Sequence, residues 1–411
     1  MQTRFGTQAA ASRGSRRFAA TMLGALVFGA AAIYTAAAHA NGFYDFGRAH
    51  AERIDHGGVV YAMTNAAGGN QVLVFVRDPR GRLEALPRAT VSTGGRGGSA
   101  NAPVDPLGSQ GSLVYDAGTE TLFAVNAGDN TVTSFDTGAF GFPLHAQARV
   151  ASGGFIPVSL AVSGDLLYVL NAGGRGSVAT FAIGAHGALA QIGSLDLGLT
   201  PSATALPFDQ VAAPGQVGVD ALARHLIVTH AGGQELLVAE LDDNGVPAGA
   251  VVSTKTPGAG TFSFGVTPFG SLLVSEAASA SVSAFDPPAG TQPLVATASA
   301  VGTGQAASCW IIVDDNGFAF VANTGSGTLS SYRYTRTGHL ERQQSIAANT
   351  GAAPTDLTFA NGGGFIYSLD AASGQISGFR IDARNGALTS VETQRGLPAS
   401  AGIQGIASRD F

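Results

Sequence analysis

A unit of 45–47 residues recurs along this chain, and it leaves few architectures open. Its clearest copy runs Leu122-Phe123-Ala124-Val125-Asn126, then the small-residue loop Ala127-Gly128-Asp129-Asn130, then Thr131-Val132-Thr133-Ser134-Phe135. An apolar-aromatic strand ends in a polar residue, turns, and returns as a strand closing on an aromatic. Matching copies end at Asn171 with Phe181, Asn323 with Tyr332, and Asp370 with Phe379. Looser copies end at Thr64-Asn65 with Phe75, His230 with Glu240, and Glu276 with Phe285. The strand-ending positions are 64, 126, 171, 230, 276, 323 and 370, and four of the six steps fall between 45 and 47. The two long steps, 62 and 59, hold insertions at 94–108 and 200–215, both rich in Gly, Pro, Ala and Ser. A period in this range carrying several strands marks propeller blades. Seven copies predict an all-β, seven-bladed β-propeller.

Each unit has room for four antiparallel strands, A to D. An A strand precedes a turn, as at Ser163-Gly164-Asp165, Asp314-Asp315-Asn316-Gly317 and Asn361-Gly362-Gly363. A D strand follows a Gly turn, as at Gly81-Arg82-Leu83, Gly187-Ala188-Leu189, Gly338-His339-Leu340 and Gly386-Ala387-Leu388. The A strands read as nearly continuous apolar runs, which suits the innermost position, covered on both faces. The first unit lacks its A strand, and Ile403-Gln404-Gly405-Ile406-Ala407 at the far end supplies one. Pairing of that segment beside residues 59–63 closes the ring and removes two exposed edges. The acidic clusters Asp242-Asp243-Asn244-Gly245 and Asp314-Asp315-Asn316-Gly317 sit where turns are due, and their spacing is not that of a calcium loop.

Residues 1–40 read as a secretory signal. Arg4, Arg13, Arg16 and Arg17 give a basic start, an apolar run covers 18–38, and Ala38-His39-Ala40 is a small-x-small cleavage site. A lead segment at 41–57 then precedes the propeller at 58–411. The run is also long enough to span a bilayer uncleaved, and Ser15-Arg16-Arg17-Phe18 leaves the twin-arginine route open. One cysteine, Cys309, allows no internal disulfide, which fits a bacterial periplasm or exterior. No later stretch is apolar enough to span a membrane. Charged residues make up only 12%, Lys255 is the single lysine, and the net charge is -6, so no basic stripe exists to displace counterions from nucleic acid. A monomer with a small-molecule ligand is the expectation.

The unit resembles the seven-bladed lactonase family, which includes 6-phosphogluconolactonases and carboxymuconate cyclases. The likeness is carried by a Tyr/Phe-x-x-Asn strand B, a Gly-rich loop, a Val-x-x-Phe strand C and a Gly-x-Leu start to strand D, and it spans about 59–407. It implies a lactonase. The phosphosugar enzymes imply basic residues and a His at inner-strand starts. Here those starts read Gly111-Ser112, Ile156-Pro157, Gln216-Val217, Phe262-Ser263, Ser308-Cys309 and Pro354-Thr355. Only Arg96 and Arg175 fall in loops of the same end, and a phosphate would require Arg or Lys within reach. A neutral or singly charged, partly apolar lactone is therefore expected.

In a propeller the B–C and D–A loops gather at one end and build the binding surface. The ring of strand-B ends lies there. Asn65, Asn126, Asn171 and Asn323 read first as turn residues whose amides cap their own loops. His230, Glu276 and Asp370 replace the amide with titratable groups. His230 and Glu276 stand in adjacent blades, so the expectation is a pair: His230 as general base on water, Glu276 orienting the imidazole. The competing reading is that repeats drift and these groups sit solvated at loop starts. Asp370, Arg175, Asn126, Asn171, Asn323 and Trp310 are the expected substrate contacts. Trp310 at an A-strand start either fills the core or stacks on a ring at the channel mouth. Cys309 has no basic partner nearby in sequence, and no cluster has metal-ligand spacing. The cofactor requirement is left open. Two functions compete: an exported hydrolase of a small non-phosphorylated lactone, and a non-catalytic envelope binding or scaffold propeller.

Overall fold

The anchors of the repeat become the ends of second strands in seven antiparallel sheets. A computed structural model describes residues 57–138, 141 and 145–411. The expected signal, and all but the last residue of the lead segment, lie outside the described residues. Each blade has the four-stranded A–B–C–D order, and the first carries an extra two-residue strand, Val91–Ser92. The seven A strands contact one another in turn around the axis. No helix among the described residues is long and apolar enough to cross a membrane.

The closing strand comes from the C-terminus, as the repeat predicts, but it is Ile406–Asp410, three residues later than expected. It pairs antiparallel with Gly58–Met63 in the register Gly58↔Asp410 to Ala62↔Ile406. Residues 403–405 instead lead into it, although Gly405 O still accepts from Met63 N at 2.9 Å. Gln404 N also donates to Met63 O at 3.3 Å, while its side chain is committed to the insertion at 94–108 (below). Asp410 then ties blades together: its carboxylate accepts from Arg77 Nη2 at 3.0 Å and from Asn361 N and Gly362 N at 2.7 and 2.9 Å.

Blades pack through the Gly turns that open their D strands. Tyr168 of the third blade donates to Gly245 O at 2.6 Å in the fourth, and Tyr367 of the seventh to Gly81 O at 2.7 Å in the first. At Gly81 (φ +86°) a Cβ would lie 2.4 Å from the Phe365 ring. Only glycine allows both the left-handed backbone and that approach, which gives the Gly-x-Leu signature its cause. Tyr168, Tyr332 and Tyr367 are almost fully buried with their hydroxyls bonded, so the aromatic mass is gained without an unsatisfied O–H. Burying each such side chain contributes roughly 1.5–3 kcal/mol. The acidic clusters are turns: Asp242 Oδ1 accepts from Asn244 N and Val246 N, and Asp314 Oδ1 from Asn316 N and Phe318 N.

Candidate functional site

The strand-B ends share one local device. In the second to seventh blades each anchor stands directly across from the first residue of strand C, with a second C residue two positions on, on the same face. Asn126 Nδ2 donates to Thr131 and Thr133 hydroxyls at 3.1 and 3.0 Å. Asn323 does the same with Thr328 and Ser330 at 3.1 and 2.8 Å. Glu276 accepts from Ser281 and Ser283 at 2.6 and 2.7 Å, and from Gly258 N at 2.7 Å. Asp370 accepts from Ser377 at 2.6 Å, Ser368 at 2.7 Å and Gly351 N at 2.8 Å. Burial pushes the Asp370 carboxyl above the usual range, against the pull of those donors. All four anchors are fully buried, as is Asn65, which spans Gly402 O and Gly98 N. In the third blade the second C residue is Ala179, and Asn171 donates to the Ser152 and Val169 carbonyls instead, leaving its Oδ1 without a partner. These residues knot loops from inside and do not sit solvated at loop starts.

The fourth blade breaks the device. His230 stands across from Glu235, and Glu235 across from Lys255. His230 Nδ1 lies 2.8 Å from Glu235 Oε1, while Glu235 Oε2 accepts from Ser253 Oγ and from Lys255 Nζ at 2.9 Å. Burial raises the Glu235 pKa, but the donors Ser253, Lys255 and His230 outweigh it and hold the carboxyl down to about 2. An ionised carboxylate only accepts, so neutral His230 carries its proton on Nδ1 and keeps Nε2 as a free base. A Cβ at Gly233 would lie 2.1 Å from Glu235 Oε1 and 2.6 Å from His230 Nδ1, so any side chain there would push the pair out of place. The structure therefore does not bring His230 and Glu276 together. The carboxylate on His230 comes from its own blade, because strand pairing delivers position 235, while Glu276 is consumed by Ser281 and Ser283.

His230 and Glu235 open into a cleft of about 560 Å³ at the B–C/D–A end. Its other walls are the third blade's B–C loop (Ala172, Gly174, Gly176) and the stretch from Gly198 to Pro214 that holds the second insertion. None of the lining residues is Arg or Lys. Arg175 lies in the same loop, but its half-exposed guanidinium pairs with Asp196 at 3.3 Å. Trp310 is fully buried, edge-on to Phe262 (centroids 4.8 Å apart), and its Nε1 donates to Ser109 O at 2.8 Å. It fills the core side of the ring and does not line the cleft. Cys309 is buried, and burial pushes its thiol well above the usual range. Among the described residues no three His, Cys, Asp or Glu side chains gather as a metal site.

A second polar cluster lies at the inner-strand ends. Gln404 joins the closing segment to the first insertion, accepting from Leu107 N at 3.1 Å and donating to Asp105 Oδ1 and Ser109 O, both at 2.9 Å. Gln110 spans to the sixth blade, exchanging two amide bonds with Ile311 at 2.9 and 3.1 Å. Asn101 links the two insertions through Gln210 Oε1 and Phe208 N, both at 2.9 Å. The insertions thus lie against the ring and against each other. Asp356, on the inner strand Pro354–Ala360, accepts only from Leu357 N and Ile406 N, at 2.9 and 3.2 Å. Burial raises the Asp356 pKa to about 8, and Asp105 adds to it; burial likewise lifts Asp105 to about 7. The sequence signal for Asp356 was present: it is the one charged residue of the A strand Pro354–Ala360. For Glu235 the signal was its place five residues after His230, where the second, fifth, sixth and seventh blades carry Thr131, Ser281, Thr328 and Gln375.

No curated protein sequence matches this chain significantly. Solved structures of the same shape are plentiful. A 6-phosphogluconolactonase described as putative, from Bacteroides fragilis, superposes with a TM-score of 0.65 at 16% identity, covering 87% of this chain and 98% of that one. A protein from Lactobacillus plantarum gives 0.67 at 17% identity, covering 87% and 99%. The periplasmic gluconolactonase of Pseudomonas aeruginosa gives 0.63 at 18% identity, covering 85% and 98%. Identities this low speak for the fold alone. The family model described as lactonase, seven-bladed β-propeller, matches residues 84–403, and with seven four-stranded blades closed by a C-terminal strand this chain belongs to that family.

Proposed function

We propose that the protein is an exported lactonase that opens a small, non-phosphorylated lactone in the cleft beside His230. One observation carries the reading: of the equivalent strand-B ends, the one in the fourth blade pairs an imidazole with an ionised carboxylate and turns it into a cleft. His230 Nε2 takes a proton from water as the water oxygen bonds to the lactone carbonyl carbon. The ring C–O bond then breaks, and the proton returns to the leaving alkoxide, giving a hydroxy acid. Glu235 holds the tautomer and steadies the imidazolium that forms between the two steps. The absence of Arg and Lys from the lining argues against a phosphate on the substrate. Export rests on the basic start, apolar run and small-x-small site of residues 1–40.

Purified protein is assayed on sugar, aromatic-derived and aliphatic lactones, with and without chelator. Ring opening that is lost in His230→Ala supports the reading. A panel left untouched at high protein concentration replaces it with a non-catalytic binding propeller. The mass of protein from the envelope fraction tests export, with a mature start at Asn41 expected and an intact residue 1–40 segment counting against it.

A further inference from the structure

We infer that the cleft selects lactones bearing an apolar arm, an alkyl or acyl chain of several carbons, over polyhydroxylated sugar lactones. The inference rests on the lactonase reading of the same cleft and adds the substrate class.

Reading a polyol takes several side chains with spare hydrogen-bonding capacity. Here most of the lining side-chain polar groups are already committed. Ser202 Oγ donates to Ala172 O and Gly174 O, both at 3.3 Å. Asp209 Oδ1 caps Val211 N and Ala212 N at 3.1 and 3.3 Å. Glu235 is occupied by His230, Ser253 and Lys255. That leaves Thr200, His230 Nε2 and the second carboxylate oxygen of Asp209, enough for one carbonyl, one water and a single hydroxyl but not for a ring of hydroxyls. A site whose polar groups are spent rejects a polyol, because each hydroxyl brought in loses water without gaining a partner.

The remaining lining is apolar: Leu199, Ala172, Ala212, Ala213 and Pro214, set among glycines. The rim continues it. Phe155 and Val211 are two of the few large hydrophobics that stand exposed, at 47% and 76%. Phe155 is fixed to the cleft wall: its carbonyl accepts from Gly173 N at 2.8 Å, and its ring would lie 3.7 Å from a Cβ at Gly174. Val211 is held out on the turn that Asp209 caps. Single exposed hydrophobics need no explanation, but two on the rim of one apolar-walled cleft form a surface that a chain leaving the cleft would cover. The cleft volume exceeds what a bare five-membered lactone needs, so the arm has room to begin inside and finish on the rim.

The test is a chain-length series of γ-butyrolactone, γ-hexalactone and γ-octalactone, with glucono-δ-lactone as the polyol. The expected result is a kcat/KM that rises about fourfold per added methylene, with glucono-δ-lactone below γ-hexalactone. Val211→Asp and Phe155→Ser, both on exposed side chains that the fold does not depend on, should each cut the octalactone-to-butyrolactone ratio about tenfold. Turnover that is flat with chain length, or a ratio unmoved in both variants, overturns the apolar arm while leaving the lactonase standing. If no lactone is turned over, calorimetric titration decides. Affinity that tightens with chain length keeps the apolar selectivity and removes the hydrolase; no binding by any of the four compounds removes both.

Discussion

Lys255 Nζ lies 2.9 Å from Glu235 Oε2, so the only lysine in the chain is spent on the carboxylate that holds His230. Its own side chain is 70% exposed, so the ion pair is screened and its direct contribution to stability is small. Its contribution is to keep Glu235 ionised and pointed, which fixes the imidazole tautomer.

That relation separates three substitutions. His230→Ala removes the base and should lower kcat/KM by about 100-fold to 10,000-fold. Glu235→Gln keeps the shape but can present an N–H to Nδ1 and select the wrong tautomer, so a loss of about 10-fold to 100-fold in kcat is expected with KM little changed. Lys255→Met should be milder still, because the Glu235 carboxyl loses one of the donors that hold it down to about 2 but keeps Ser253 and His230. Steady-state pH profiles of the three proteins check this; equal losses in all three would mean that the network acts only structurally.

Glu276 belongs to stability. Replacing it with Ala leaves the Ser281 and Ser283 hydroxyls and the Gly258 N–H buried without their acceptor. Unsatisfied buried donors cost about 1–3 kcal/mol each before relaxation, so Glu276→Ala should lose about 2–4 kcal/mol. Lactone turnover below the melting range should be retained. Denaturant unfolding and activity measured on the same preparation check the split; lost activity with unchanged unfolding would put Glu276 back in the site.

The repeat made the fold legible because its residues do structural work at fixed places. Gly81 and Gly386 open D strands under a neighbouring blade's aromatics, Phe365 and Phe318, and no other residue fits there. The site was half legible. His230 stands out as a departure from Asn, but the repeat alone points to Glu276 in the next blade as its partner. The strand-C residue across the ladder, Glu235, is the nearer one, and strand pairing sets that distance in every blade. Asp105 and Gln404 could not be paired in advance, since 299 residues separate them and only ring closure brings them to 2.9 Å. The insertions' mutual contact through Asn101 and Gln210 likewise joins residues 109 apart in sequence.

The buried acids set a pH dependence of stability. Asp356 titrates near 8 in the folded protein and near 4 when unfolded. Between those values the native state holds a proton that the unfolded state has lost, so stability is full below about pH 4 and falls as pH rises toward 8, by up to ~1.4 kcal/mol per pH unit for one proton. Asp105, lifted to about 7, acts in the same direction over a narrower window. Glu235 acts oppositely: with its pKa lowered to about 2, its contribution is present above about pH 4.5 and is lost as pH falls toward 2. A maximum of stability near pH 4–5 follows from these three groups. Asp356→Asn should flatten the alkaline side and melt above wild type at pH 8, with no gain at pH 4. Thermal melts across pH 3–8 read this directly, and parallel curves for the two proteins would count against a neutral Asp356.

Ring closure is the last step on which everything else depends, and Arg409 and Asp410 carry its polar part. Arg409 is largely buried; its Nη1 donates to Thr137 Oγ1 at 2.7 Å and its Nη2 reaches Glu120 at 3.1 Å in the second blade. Asp410 bonds Arg77 in the first blade and the Asn361 and Gly362 amides in the seventh. Two adjacent residues therefore hold three blades. Deleting residues 406–411 uncovers Gly58–Met63 and removes the inner strand between Pro354–Ala360 and Leu113–Asp116. Insoluble or strongly destabilised protein is expected, since an unpaired apolar edge recruits other edges. Asp410→Ala is the finer probe. It keeps the strand but removes the carboxylate that Arg77 and the Asn361 and Gly362 amides share, and because the Asp410 side chain is 39% exposed and the pair therefore screened, the cost should be about 1–2 kcal/mol. Solubility of the deletion and denaturant unfolding of the point variant check the two parts. A soluble deletion with wild-type melting would mean that the ring is closed elsewhere.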